Sequence, residues 1–283
     1  YIYWVRMRAM KEKEENADFI GIFDSGMGGL TVAHAVSKLL PHENILYFGD
    51  TVHTPWGDKS TTAIQGYAEK ISGLLLDQRC KAILIACNTA SAVAHDTVKA
   101  VVGDKAVLIN VIDPVVEHIE KNYADRKIGL IGTKQTVRSN AYKQRIDDLN
   151  RQVDLFSLAT PLLVPLIEEG YAESAVAKTV IQDYLGHSGL KDINALILGC
   201  THYPLIKSPI LDHYGHQVSV IDSAELAAHA LKNALAKHKL LKAPGSKSPK
   251  HQFYISDNNE FFLSLAQLFF TESVKVERHP LWD

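Results

Sequence analysis

The sequence predicts an α/β protein built on parallel sheets, and three observations carry that expectation. Short, continuous, largely β-branched apolar runs recur along the chain, as buried parallel strands require. Amphipathic stretches separate many of them, so strand and helix alternate and helices are expected to cover the sheets. The chain also repeats itself weakly: AILIACNTAS (Ala82–Ser91) resembles ALILGCTHYP (Ala195–Pro204). Each is a strand, then a cysteine, then a threonine within two residues. Upstream of each, at nearly equal spacing, stand IGIFDSGMGG from Ile20 and IGLIGTKQTV from Ile128. Two similar α/β halves, each presenting one cysteine at a strand's C-terminal end, explain this economically. Chance similarity between apolar strands is the alternative.

In chain order the expected strands are Phe19–Asp24, Ile45–Gly49, Ala82–Ala86, Val107–Val111, Lys127–Gly132, Val153–Leu158, Ala195–Gly199, Val218–Asp222 and Phe253–Ser256. The first runs into a Gly-rich turn and then a helical pattern, Leu30–Leu40, which Pro41 ends. A second helical pattern covers Thr61–Asp77, and a third, AHDTVKAVV, starts after the first cysteine motif. Lys242–Lys250, KAPGSKSPK, has the composition of a surface loop.

The 283 residues suit one large or two medium domains. With 46% hydrophobic and 22% charged residues, the chain matches a globular average, so disorder, collagen and coiled coil are excluded. Thirty Lys+Arg against 32 Asp+Glu leave a net charge of −2, without the basic footprint of a nucleic-acid binder. No apolar run reaches the ~18 residues of a membrane span, so no membrane partner is expected. Three cysteines, Cys80, Cys87 and Cys200, are too few for a disulfide framework and lack C-x-x-C spacing. Free thiols indicate a reducing compartment, so the expected location is cytoplasmic. Residues 1–18 lack the clean apolar run and small-residue cleavage site of a signal peptide and are taken as an N-terminal extension.

The chemistry-bearing motifs lie where strands end. GMGG (Gly26–Gly29) fails the dinucleotide fingerprint, because Thr31 stands where the last glycine belongs, and it lacks the G-K-[ST] of a P-loop. What remains is a Gly-rich turn at a helix start, suited to a small anion such as a carboxylate, or else a plain tight turn. Asp24 and Ser25 just before it favour a site, since open α/β sheets bind ligands at strand C-terminal ends. Cys87-Asn88-Thr89 puts a thiol at a strand end near a helix start, which should lower its pKa. Cys200-Thr201-His202 adds an imidazole to the second thiol. Inert core packing is the plain alternative for each cysteine alone. Neither begins a C-x5-R phosphatase run, and a Cys–His hydrolase would leave one thiol idle. A metal site from Cys87, Cys200 and His202 is allowed by ligand type but not supported by spacing, so no metal is expected. Cys80 in DQRCKA reads as structural. The histidines at 42, 95, 187, 213, 238 and 251 read as solvated, and Glu168 and Glu169 as a solvated helix end.

FIGIFDSGMGGLTV, ILIACNTAS, GTKQTVRSNAY, VPLIEEG, LILGCTHYPLI and IDSAELAAHAL, in this order and spacing, resemble the Asp/Glu racemase superfamily, and within it the glutamate racemases. The resemblance spans about residues 19–283. It implies two flavodoxin-like, doubly wound domains with a pseudo-two-fold relation and an active-site cleft between them. The first would be discontinuous, 19–111 plus 223–283, and the second 112–222. It implies interconversion of L- and D-glutamate for peptidoglycan without a cofactor, by Cys87 and Cys200 acting from opposite faces. Asp24 would assist the first thiol and His202 the second. Asp24, Ser25, Asn88, Thr89, Thr133, Thr136, Glu168, Thr201 and His202 would line the substrate. By the same resemblance, Cys87 takes the proton from D-glutamate and Cys200 from L-glutamate. A racemase for aspartate, or one of broad specificity, is the near alternative. Family members are often dimers, so a homodimer is an expected assembly. Some members with N-terminal extensions are activated by UDP-N-acetylmuramoyl-L-alanine, which makes such an activator a partner to test here. The chain departs from the family at P-Y-G, preceded by Arg. Here DTVHTPWG puts His53 and Trp56 at the Arg and Tyr positions, with Gly57 kept. A backbone contact from Trp56-Gly57 survives that change. A contact accepted by the phenol does not, because indole only donates.

Overall fold

The computed structural model describes residues 19–149, 152–243, 248–258, 260–270 and 275–282. The expected extension, 1–18, and the middle of the KAPGSKSPK segment lie outside them. Among the described residues, ten strands form two sheets. In chain order they are β1 (Phe19–Asp24), β2 (Asn44–Gly49), β3 (Cys80–Ile85), β4 (Val107–Asn110), β5 (Arg126–Gly132), β6 (Val153–Ala159), β7 (Ala195–Gly199), β8 (Ser219–Asp222), β9 (Gln252–Ile255) and β10 (Val276–Arg278). Nine coincide with the expected strands to within two residues at each end. The tenth is three residues long at a sheet edge, with Glu277 and Arg278 exposed, so it carries no apolar run to find.

The first sheet has the order β10-β9-β2-β1-β3-β4 and the second β6-β5-β7-β8. All pairings are parallel. The order β2-β1-β3-β4 recurs as β6-β5-β7-β8, so the repeat seen in the sequence is a repeat of topology. The first sheet adds β9 and β10 at one edge.

Alternation along β1 explains its burial on both sides. Ile20 and Ile22 face one apolar cluster, with the helices Leu30–Leu39 and Ser223–Lys237, while Phe19 and Phe23 face another, with Thr61–Asp77. The second sheet is likewise covered on both faces. Ile112, Val115 and Ile119, on the stretch after β4, pack with Ile128 and Leu130 of the second sheet. Ala227, Leu231 and Leu235, after β8, pack back on the first. The chain therefore crosses between the halves at about these two points. No described helix is long and apolar enough to cross a membrane.

Candidate active site

Both sheets turn their strand C-terminal ends to a common seam, where Cys87 and Cys200 line one cavity. Cys87 lies two residues past β3 and caps the helix Asn88–Val93, its Sγ accepting from the Ala90 amide at 3.5 Å. The helix starts at Asn88, not at Ala94 as the sequence pattern suggested; a break at Ala94 separates it from a second helix, His95–Val102. The expected drop in the Cys87 pKa is overturned. Burial disfavours the thiolate, the nearby Asp24 charge adds to that, and together they push the thiol up to about 12. The Ala90 amide and the Ser25 hydroxyl oppose the shift without cancelling it. A helix end contributes at most ~2 kcal/mol, which full desolvation outweighs.

Cys200 directly follows β7 and lies 3.6 Å from His202 Nδ1. The far side of that ring, Nε2, is 2.9 Å from Glu168 Oε1. Burial works against charging the imidazole. Its bonds to Cys200 and Glu168 outweigh burial, so the His202 pKa lies well above its ordinary value. Glu168 ends the helix Leu163–Glu168 and is no mere solvated helix end; it anchors a Cys–His–Glu chain.

The Gly-rich turn serves the site differently from the expected anion cradle. The carboxylate it holds is Asp24's own: Oδ2 accepts from the Gly26 amide at 3.1 Å, with Ser25 and Gly29 amides also contributing. Burial nonetheless raises the Asp24 pKa. Its Oδ1 accepts from Thr201 Oγ1, 3.3 Å away across the seam. Asp24 thus acts on Cys87 through its charge, while its hydrogen bonds run to the turn and to Thr201. Gly28 is glycine because a Cβ there would collide with Thr201 Oγ1 and His202.

Hydroxyls stitch the remaining wall. Thr89 Oγ1, Thr133 Oγ1 and Thr136 Oγ1 form a triangle with sides of 3.0 to 3.3 Å, joining the two halves. The Asn88 amide oxygen accepts from Tyr142 at 2.7 Å, while its Nδ2 is buried without a partner in the structure. That leaves its NH2 group, with two N–H donors, for ligand oxygens. Trp56 and Gly57 line the same cavity, but the indole N–H is spent on Asp50 Oδ2 at 3.0 Å. Of the thirteen expected site residues, ten line the cavity and three bond to a residue that does: Asp24 to Thr201, Glu168 to His202, and Thr136 to Thr89 and Thr133.

Asp50 and Tyr142 were not singled out from the sequence. Asp50 follows the apolar strand ILYFG as the first polar residue, which parallels Asp24 and was the available signal. Tyr142 lies in GTKQTVRSNAY, but nothing in its spacing shows that it reaches Asn88. His95 and His251 depart from simple solvation: the first meets the Asn110 amide at 3.1 Å, and the second packs on Phe270. Cys80 is structural as expected; burial pushes its thiol up to about 12, and Gly21 has no Cβ because one would crowd its sulfur. Among the described residues no group of three or more His, Cys, Asp or Glu side chains could hold a metal ion.

The cavity between the thiols measures about 20 Å³. That is room for about one water, so this conformation does not hold an amino acid.

The chain matches the family described as Asp/Glu/hydantoin racemase over residues 32–231. A glutamate racemase from Chlorobaculum parvum is 42% identical over 259 residues, 91% of this chain and 94% of that protein. The structure of glutamate racemase from Francisella tularensis in complex with D-glutamate superposes with a TM-score of 0.86 at 37% identity, covering 94% of this chain and 98% of that one. The Escherichia coli glutamate racemase, solved with L-glutamate and the activator UDP-MurNAc-Ala, shares the fold at TM-score 0.70 and 21% identity, over 92% of this chain and 97% of that one.

Proposed function

Since this chain belongs to the Asp/Glu/hydantoin racemase family, we infer from its paired cavity that it works as one member does: it is a glutamate racemase, an isomerase that interconverts L- and D-glutamate. The observation that carries this is the placement of Cys87 and Cys200, each at a strand end of a different half, on one cavity.

Racemisation removes the α-hydrogen from one face and returns one to the other, so it needs a base and an acid on opposite sides. An imidazolium at His202, held by Glu168, is the neighbour that a Cys200 thiolate requires. Cys87 is held as a thiol, ready to donate. Ionising it at pH 7 would cost roughly 7 kcal/mol, at ~1.36 kcal/mol per unit below about 12. The family resemblance makes Cys200, beside His202, the base in the L-to-D direction. For the reverse, the substrate ammonium supplies the charge that lets Cys87 ionise. Asn88 Nδ2 and the threonine hydroxyls would hold the carboxylate and stabilise the negative charge that develops on it. Ser25 supports Cys87, and Trp56-Gly57 closes the wall.

Residues 19–111 with 223–283 are taken as one domain and 112–222 as the other, a division supported by the two core crossings. Turnover then requires the domains to open and close. The product would serve peptidoglycan synthesis in the cytoplasm, consistent with three free cysteines. A homodimer, and a response to UDP-N-acetylmuramoyl-L-alanine, are tested by light scattering and by adding that precursor to the assay. Circular dichroism of L-glutamate with purified protein and no added cofactor tests the activity itself. Decay of the signal to zero is expected, and faster decay with L-aspartate would overturn the substrate.

A further inference from the structure

The Asp50 carboxylate is fully buried and accepts from four side chains. His53 Nδ1 and Trp56 Nε1 reach Oδ2 at 2.9 and 3.0 Å, and Ser256 Oγ and Trp282 Nε1 reach Oδ1 at 3.0 and 2.8 Å. These donors come from three separate stretches of chain: the turn after β2, the end of β9 and the C-terminal tail. The tail is fastened along its way, since the His279 amide donates to the Ile255 carbonyl at 2.8 Å and its ring stacks on Tyr254. The Trp282 ring then stands edge-on to His53 and Tyr67, with Lys70 Nζ 5.0 Å from its centroid.

On its other side the Asp50 cluster holds the seam. The Asp50 amide donates to the Asp24 carbonyl at 3.1 Å. The Trp56–Asp58 turn packs on the second half so closely that a Cβ on Gly57 would lie 2.7 Å from Thr133 Cβ. Lys134 Nζ meets Asp58 at 3.2 Å and Gln135 Nε2 meets Thr61 at 2.8 Å beside it. Asp50 therefore ties the chain's tail to the turn that walls the thiol cavity and meets the other half.

The geometry points to Trp282 as a positioning residue: through Asp50 it holds the Trp56–Gly57 turn where it grips substrate and seats the closing half. This explains the departure at Trp56. Its indole supplies a second N–H to the same carboxylate that Trp282 caps, so the turn and the tail share one anchor. Trp282 touches no reacting atom, and its kinetic effect rests on the racemase reading above.

The test pairs a spectroscopic readout with kinetics. The sequence holds three tryptophans, so the indole N–H signals in a 15N-labelled sample are assigned by single substitutions. Trp282→Phe keeps the ring and removes the N–H. It should shift the Trp56 indole signal, raise KM for glutamate about two- to tenfold, the worth of one hydrogen bond, and leave kcat within about twofold by the same measure. In a Trp56→Phe background it should add almost nothing, because both act through Asp50. Ending the chain at Pro280 is the second variant, with the same expectations. An unmoved Trp56 signal, an unchanged KM, an equal fall in kcat and kcat/KM, or additive effects in the Trp56→Phe background would each overturn the proposal. A Trp56 signal shifted by Trp282→Phe, together with a wild-type protein that fails to racemise glutamate, would instead sink the racemase reading and leave the Asp50 anchor standing.

Discussion

Thiol chemistry in this site is decided by what surrounds each sulfur. Cys87 has a helix start to lower its pKa, but burial and the Asp24 charge win and push it up to about 12. Its thiolate fraction therefore rises about tenfold per pH unit across the neutral and mildly alkaline range. Alkylation of Cys87 by iodoacetamide should follow that slope from pH 7 to 10. Asp24→Asn removes a neighbouring negative charge and should speed the reaction at each pH; a profile that levels off near pH 8 would contradict this environment. His202 presents the opposite case, with its pKa raised because Cys200 and Glu168 both bond to the ring. Glu168→Gln removes one of those supports. The His202 pKa should fall, the imidazolium should be lost at lower pH, and the descending limb of the kcat profile should move to lower pH. A drop in kcat of about tenfold or more is expected, as for loss of a general acid–base partner. The sequence showed the two cysteines and their neighbours, because CNT and CTH are contiguous. It did not show which way the Cys87 pKa moves, because burial is a property of the closed seam and not of any local motif.

At the level of elements, the same strand–turn–helix unit is used twice and filled differently. The order β2-β1-β3-β4 recurs as β6-β5-β7-β8, and the two cysteines stand after its equivalent strands, β3 and β7. Continuous apolar strands such as FIGIFD and ALILG made these elements legible, since burial on both faces leaves no polar alternation to confuse the pattern. The edge strand β10 was not legible for the converse reason: Glu277 and Arg278 face solvent. The Gly-rich turn was legible but its two readings were not separable, because an anion-binding turn and a close-packed one use the same residue. Its amides bond Asp24, and Gly28 is pressed against Thr201 and His202. Gly28→Ala should therefore cost about 1–3 kcal/mol in stability, as overpacking does, and should slow racemisation by displacing the Cys200–His202 pair. Normal activity and an unchanged melting temperature in that variant would show that the seam yields more readily than the contacts imply.

At the scale of the whole molecule, the cavity between the thiols is about 20 Å³, smaller than glutamate, so this conformation must widen to admit it. The protein's alkaline stability follows from thiol burial. Cys80 and Cys87 are pushed up to about 12, above their ordinary value in an unfolded chain. Each therefore contributes stability that is complete below the unfolded pKa, near ~8.5, and is lost as pH climbs from there toward 12. The melting temperature should accordingly be level from pH 7 to 8 and fall above pH 9. Because the two enantiomers have equal free energy in water, kcat/KM must be the same in both directions at every pH. The part each thiol plays is therefore read by removing the other. The decisive measurement is α-hydrogen exchange in D2O with Cys87→Ala and Cys200→Ala, followed by nuclear magnetic resonance with chiral analysis of the recovered glutamate. Neither variant should racemise either enantiomer, while each should slowly exchange one: Cys200→Ala only D-glutamate, Cys87→Ala only L-glutamate. Near-normal inversion by either variant, in folded protein, would contradict the two-thiol account.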